Sequence, residues 1–117
     1  MNNRKTGELY EEATASFLLG KKYRIIEKNY RRKTGEIDVI AEDPDRKTLV
    51  FIEVKFRKSL RLGYPEEAVN LRKQQRIRRT AEWYLKEKGL FGRPCRFDVI
   101  SIMNGEIRHI PNAFGSF

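Results

Sequence analysis

"GEIDVIAEDPDRKTLVFIEVKFR", residues 35 to 57, decides the fold. Two runs rich in Val, Ile and Phe flank "DPDRK", a cluster of turn formers, so the stretch reads as strand, turn, strand. In the second run Val50, Ile52, Val54 and Phe56 alternate with Leu49, Phe51, Glu53 and Lys55. Alternate side chains of a strand lie on opposite faces. An acid and a base therefore share a face with Leu49 and Phe51. A turn centred between Asp45 and Arg46 places Ile40 opposite Phe51, Asp38 opposite Glu53 and Glu36 opposite Lys55. Directly opposed residues have Cβ atoms roughly 4.5–5.5 Å apart. A slip of one residue would undo the pairing.

Asp38 against Glu53 is the informative pair. Like charges directly opposed destabilise a sheet, and two close carboxylates call for a cation between them. Mg²⁺ suits, because it takes oxygen ligands and is commonly held by one or two carboxylates with water and phosphate. Lys55 beside them can hold an attacking water or a phosphate oxygen. Together these groups describe metal-assisted phosphodiester hydrolysis. The plainer alternative is a Glu36–Lys55 cross-strand ion pair with Asp38 reaching an arginine. Hairpin arithmetic alone leaves both open.

Outward from the hairpin, residues 6 to 22 read as a helix with Thr6 as its N-cap and Leu9, Ala13, Phe17 and Leu18 on one apolar face. "YRIIEKNY", 23 to 30, reads as a strand. Pro65 suits the first turn of a second helix running to Lys88, with Gly89 as its stop. "RFDVISIM", 96 to 103, is a strand, and "NG" at 104 and 105 turns it into "EIRHI". The order is helix, three strands, helix, two strands: an α/β fold with a mixed sheet flanked by helices. The length, 117 residues, suits a single domain spanning the chain.

Composition narrows the chemistry. One histidine, His109, rules out a multi-histidine metal site. One cysteine, Cys95, rules out an internal disulfide and fits a reducing cytoplasm. No apolar run is long enough to span a membrane, and the N-terminus lacks the apolar stretch of a signal peptide. A cytoplasmic protein with no membrane partner is expected. The net charge is +9, and residues 55 to 79 hold nine basic against two acidic residues. A local excess of this kind favours nucleic acid as partner over a merely solvated basic surface.

"GEIDVIA" followed by "FIEVKFR" resembles the Asp…Glu-x-Lys signature of the restriction-endonuclease-like nuclease superfamily. The order of elements resembles that superfamily's core. "TGELYEEA", "NYRRKTGEIDVIA", "FIEVKFR", "RKQQRIRRTAEWYL", "RFDVI" and the terminal "NAF" together resemble the small bacterial YraN-like family, itself similar to archaeal Holliday-junction resolvases.

The resemblance implies a site. Asp38 and Glu53 would bind Mg²⁺ or Mn²⁺ with the Val54 carbonyl, and Lys55 would position the water. Resolvases carry a metal-associated glutamate on the first helix, which matches Glu11, with Glu8 and Glu12 as rivals. Superfamily members often add a polar residue from the second helix, and Gln74 is the candidate. Gln74, Ile77, Ala81 and Tyr84 or Leu85 share one side of that helix, although a boundary residue of the core would sit there equally well. Glu36, outside the catalytic set, would orient Lys55. Arg32, Lys33, Arg57, Lys58 and Arg61 flank the site and Lys73 lies beside it, so these are expected to hold the DNA backbone, with Arg76 and Arg79 on the helix. Tyr64 and Trp83 read as packing residues, His109 as structural, and Asp98 as making a strand-end bond or an ion pair with an arginine. The implied function is a Mg²⁺-dependent endonuclease acting on branched or single-stranded DNA in repair or recombination. The rival is a binding module that keeps the nuclease core as a grip. Resolvases work as homodimers, and a dimer is carried over by that analogy alone.

Overall fold

The computed structural model describes residues 3–57 and 69–115. The chain forms α1 (Asn3–Gly20), β1 (Arg24–Arg32), β2 (Gly35–Glu42), β3 (Leu49–Arg57), α2 (Leu71–Lys88), β4 (Cys95–Met103) and β5 (Glu106–Ile110). This is the order expected from the sequence. The five strands lie side by side in chain order. Only the β3–β4 pairing is parallel, as a crossover through α2 requires.

The sheet is covered on both faces. Leu49 and Phe51 pack with Ile77, Ala81, Tyr84 and Leu85 of α2. Their neighbours Val50 and Ile52 pack with Leu18 of α1. Adjacent strand residues point to opposite faces, so the two helices lie on opposite sides. That sandwiching explains why β3 reads as a near-continuous apolar run: it is central, parallel on one edge and covered twice.

The hairpin forms in the expected register, with Ile40 paired to Phe51 and Val39 to Ile52. Asp45 holds the turn, its carboxylate accepting the Lys47 and Thr48 N–H groups and the Thr48 hydroxyl. Those bonds lower its pKa to about 2. At the β4–β5 turn Asn104 and Gly105 both take positive φ, 51° and 80°, which is what an Asn-Gly hairpin needs.

The helix boundaries differ from expectation. Helix α1 begins at Asn3, so Thr6 lies inside it rather than capping it. Leu9 is 59% exposed; the side that packs carries Thr14 and Leu18, with Tyr10 and Phe17 beside them. Helix α2 begins at Leu71, not near Pro65. Asn70 is its N-cap, with extended backbone and a side chain accepting the Lys73 N–H. An Asx cap fixes a start more firmly than a first-turn proline, because it satisfies a backbone donor that proline only avoids. Gly89 ends the helix in the left-handed region as expected.

Candidate active site

The acid pair sits where the hairpin opens. The β2–β3 ladder runs from Glu42–Leu49 to Val39–Ile52. One residue further, Asp38 Oδ2 accepts the Val54 N–H at 2.7 Å. A side chain thus takes the place of the next ladder bond. The β1–β2 ladder also skips a step there: Lys28 pairs with Val39 and Tyr30 with Ile37, while Asn29 between them has φ 53°. Ile37 packs on the α2 side and Val39 on the α1 side, although they are two residues apart. Asp38 stands at this switch. It lines an apolar cavity of about 220 Å³ on the α1 side and a polar cleft of about 590 Å³ on the α2 side.

Glu53 joins Asp38 in the polar cleft, as the sequence predicts. Lys73 Nζ lies 2.8 Å and Lys55 Nζ 3.4 Å from the same oxygen, Glu53 Oε1. Asp38 Oδ1 and Glu53 Oε2 take no hydrogen bond from the described residues. Burial and the Glu53 charge push the Asp38 carboxyl up to about 7. Burial and the neighbouring Lys73 lower the Lys55 pKa. Burial also acts to lower Lys73, but its bond to Glu53 and the nearby Glu53 and Asp38 carboxylates outweigh it, and its pKa rises. Lys55 therefore holds its proton less firmly of the two.

The donor set fits a small oxygen-seeking cation. Among the described residues no three His, Cys, Asp or Glu side chains converge, unlike the ligand cages that hold structural zinc. Two carboxylates suffice for Mg²⁺ or Mn²⁺, which keep several waters.

Other expected site residues fall elsewhere. Glu11 lies on the α1 side, lining the apolar cavity with Asp38 and accepting a long 3.5 Å hydrogen bond from Asn29. It is across the sheet from Glu53. Gln74 does not face the cleft. Its amide donates to the Val69 carbonyl at 2.9 Å, tying down the chain ahead of α2. Glu36 lines the cleft but pairs with Arg31 at 3.3 Å, not with Lys55. The hairpin ladder does not extend to that register. Arg32 is held bidentately by Glu87, both bonds at 2.7 Å, and stacks over Tyr30, so it is not a free cation for a phosphate. Arg72 and Arg76 line the cleft; Lys33, Arg76 and Arg79 are exposed, and Arg57 is partly so. Lys58, Arg61, Tyr64 and Pro65 lie outside the described residues.

Three features were not read from sequence. Lys73 is a direct partner of Glu53, and spacing along α2 gives no hint of that long-range pair. Arg72 joins the cleft. Gly35, at φ 149°, lets the β1–β2 turn approach α2: a Cβ there would meet the Thr80 hydroxyl at 3.3 Å. That hydroxyl bonds Thr34 at 2.8 Å and the Arg76 carbonyl.

Known proteins place the chain. A family model described as "Uncharacterised protein family UPF0102" matches residues 10–102. A UPF0102 protein of Clostridioides difficile (strain 630) is 42% identical over 97% of this chain and 100% of its own. One of Symbiobacterium thermophilum is 46% identical over 96% and 98%. Among solved structures, that of SSO0001 aligns with 96% of this chain at 18% identity and a TM-score of 0.47; the chain spans about half of it, 52%. On the family match and these identities, the chain belongs to the uncharacterised protein family UPF0102.

Proposed function

We propose that the chain is a metal-dependent nuclease that hydrolyses phosphodiester bonds of DNA at the Asp38–Glu53 cleft. The observation that carries this reading is the acid pair itself. Asp38, raised to about 7, shares a cleft with a second carboxylate. Such a pair is poorly matched to a structural role and well matched to a divalent cation.

Asp38 and Glu53, with the Val54 carbonyl, would hold Mg²⁺ or Mn²⁺. The bound cation would polarise a phosphoryl oxygen and acidify a water. The rest is the work of this chain's own groups. Asp38 must be ionised to serve as a ligand, so cation binding displaces its proton. Lys55, with its lowered pKa, positions the attacking water beside Glu53. Lys73, Arg72 and Arg76 hold the phosphates around the cleft without reading sequence.

A specific observation keeps the grip reading in view. The two lysines already neutralise one Glu53 oxygen, so a phosphate-binding cleft with internal counterions would have the same groups. Incubation with linear, branched and single-stranded DNA, with Mg²⁺, Mn²⁺ or chelator, separates the two. Metal-dependent cleavage of any substrate supports the nuclease. Binding that chelator leaves unchanged, with no cleavage, supports the grip.

A further inference from the structure

We infer that the outer face of α2 is a single-strand track, on which an unpaired base stacks against Trp83 while the backbone runs back to the acidic cleft. This rests on nucleic acid being the ligand, as proposed above. Arg72, Arg76, Arg79, Trp83 and Lys86 follow one another at steps of four, three, four and three along α2. Those steps put them on one stripe of a helix. All five are exposed. Arg72 and Arg76 line the Asp38–Glu53 cleft. At the other end Trp83 and Lys86 line a separate hollow of about 270 Å³ with Thr34, Arg79, Glu82 and Phe91. The eleven steps of helix from Arg72 to Trp83 rise about 16 Å, a length that a few nucleotides of single strand cover.

The hollow has the parts that base stacking uses. Trp83 is 45% and Phe91 64% exposed, two aromatic surfaces in one depression of a basic helix. Buried packing does not explain them: Tyr84 and Leu85, on the other side of α2, fill the core. No ion pair to a described residue occupies Arg72, Arg76 or Arg79, unlike Arg32, which Glu87 holds. Among the described residues Glu82 is the one acid in the hollow, against Arg79 and Lys86. Lys86 Nζ stands 5.3 Å from the Trp83 ring centre. An exposed cation–π contact is weaker than base–aromatic stacking, so a base displaces the ammonium and leaves it beside the phosphate. A duplex keeps its bases stacked inside and cannot use the indole, so the track favours single strands.

Trp83 is the only tryptophan, so its fluorescence reports this site alone. The full chain is titrated with oligo(dT) and with a duplex of equal length in chelator, while anisotropy of a labelled strand records binding independently. The expected result is quenching by oligo(dT), little by duplex, and a loss of about tenfold in oligo(dT) affinity for Trp83→Ala. Trp83→Phe should recover most of that affinity, and duplex affinity should change less than twofold in both variants. Oligo(dT) binding by anisotropy without quenching, or with Trp83→Ala unimpaired, overturns the track and leaves the nuclease reading standing. Absence of binding to any nucleic acid would end both.

Discussion

The β2–β3 hairpin carries buried acids at both ends, and they are treated in opposite ways. Near the turn, Glu42 is gripped by Arg24, Arg46 and Arg93, and Asp43 by Arg96. Next to them Asp98, fully buried, accepts two bonds from Arg96, one from His109 and one from the Asn112 N–H. Burial acts to raise the Asp98 pKa, but those bonds outweigh it and the pKa is lowered. At the open end Asp38 has one backbone N–H and a second carboxylate for company, and it is raised to about 7. Burial alone therefore does not decide the charge state of an acid in this sheet. The number and kind of its donors do. Arginine forks satisfy a carboxylate completely; two lysines aimed at one oxygen of Glu53 leave the pair open to a cation.

The largest contrast should appear in rates. Lys55→Ala leaves both carboxylates in place, and one cation among many is lost to DNA. Single-turnover cleavage should fall ~10²–10⁴-fold, the usual worth of a positioned proton-transfer group, with affinity in Ca²⁺ nearly unchanged. Equal cleavage rates would remove Lys55 from the chemistry.

Stability should show the reverse pattern. Asp98→Ala strands Arg96 and His109 without their shared partner, and breaking a buried pair typically costs about 3–5 kcal/mol. Urea midpoints should record that loss, whereas Asp38→Asn, which relieves repulsion, should hold or raise the midpoint. If both variants lose comparable stability, the two ends are alike and the contrast fails.

The pH dependences carry opposite signs. Asp38 binds its proton more tightly folded than unfolded, so its contribution is present below about pH 4 and is lost as pH rises toward 7. The stability of Asp38→Asn relative to wild type should grow across that window. Asp98 is depressed, so its contribution is present at neutral pH and is lost only as pH falls below its unfolded pKa. Denaturation of wild type and both variants at pH 4.5 and 7.5 checks the signs.

The smallest effects concern the cations. Arg76→Ala and Arg79→Ala should each lower the log-log salt slope of DNA binding by about 1. Arg32→Ala should leave it unchanged, because Glu87 already holds that guanidinium. Equal slopes in all three variants would mean that α2 does not face DNA.

Much of the hairpin was legible, because alternation, an Asp-Pro turn and a double apolar run agree on one register. The approach of Asp38 to Glu53 followed from that register. What lay beyond it did not. The sequence shows no sign that the β2–β3 ladder stops at Val39–Ile52 or that Ile37 and Val39 fall on opposite faces, so the Glu36–Lys55 pairing fails while the acid pair survives. Asn70 is a visible cap, yet Pro65 offers an earlier start of the same helix. Glu11 ends on the far face because α1 packs through Thr14 and Leu18. The Lys73–Glu53 contact joins two elements whose relative rotation no local pattern encodes. Trp83 reads as a packing residue by type, yet it lies off the side that the spacing of Ile77, Ala81 and Tyr84 or Leu85 marks as core, and it is exposed.

The nuclease proposal depends on a divalent cation held at the open end of the hairpin by the acid pair. Calorimetric titration of Mn²⁺ into wild type and Asp38→Asn, at pH 6 and pH 8, tests it most directly. The expected result is one site in the wild type, tighter at pH 8 because Asp38 is then ionised, and a large loss of affinity in a variant at least as stable as the wild type. Equal Mn²⁺ binding by the two proteins at both pH values would contradict it.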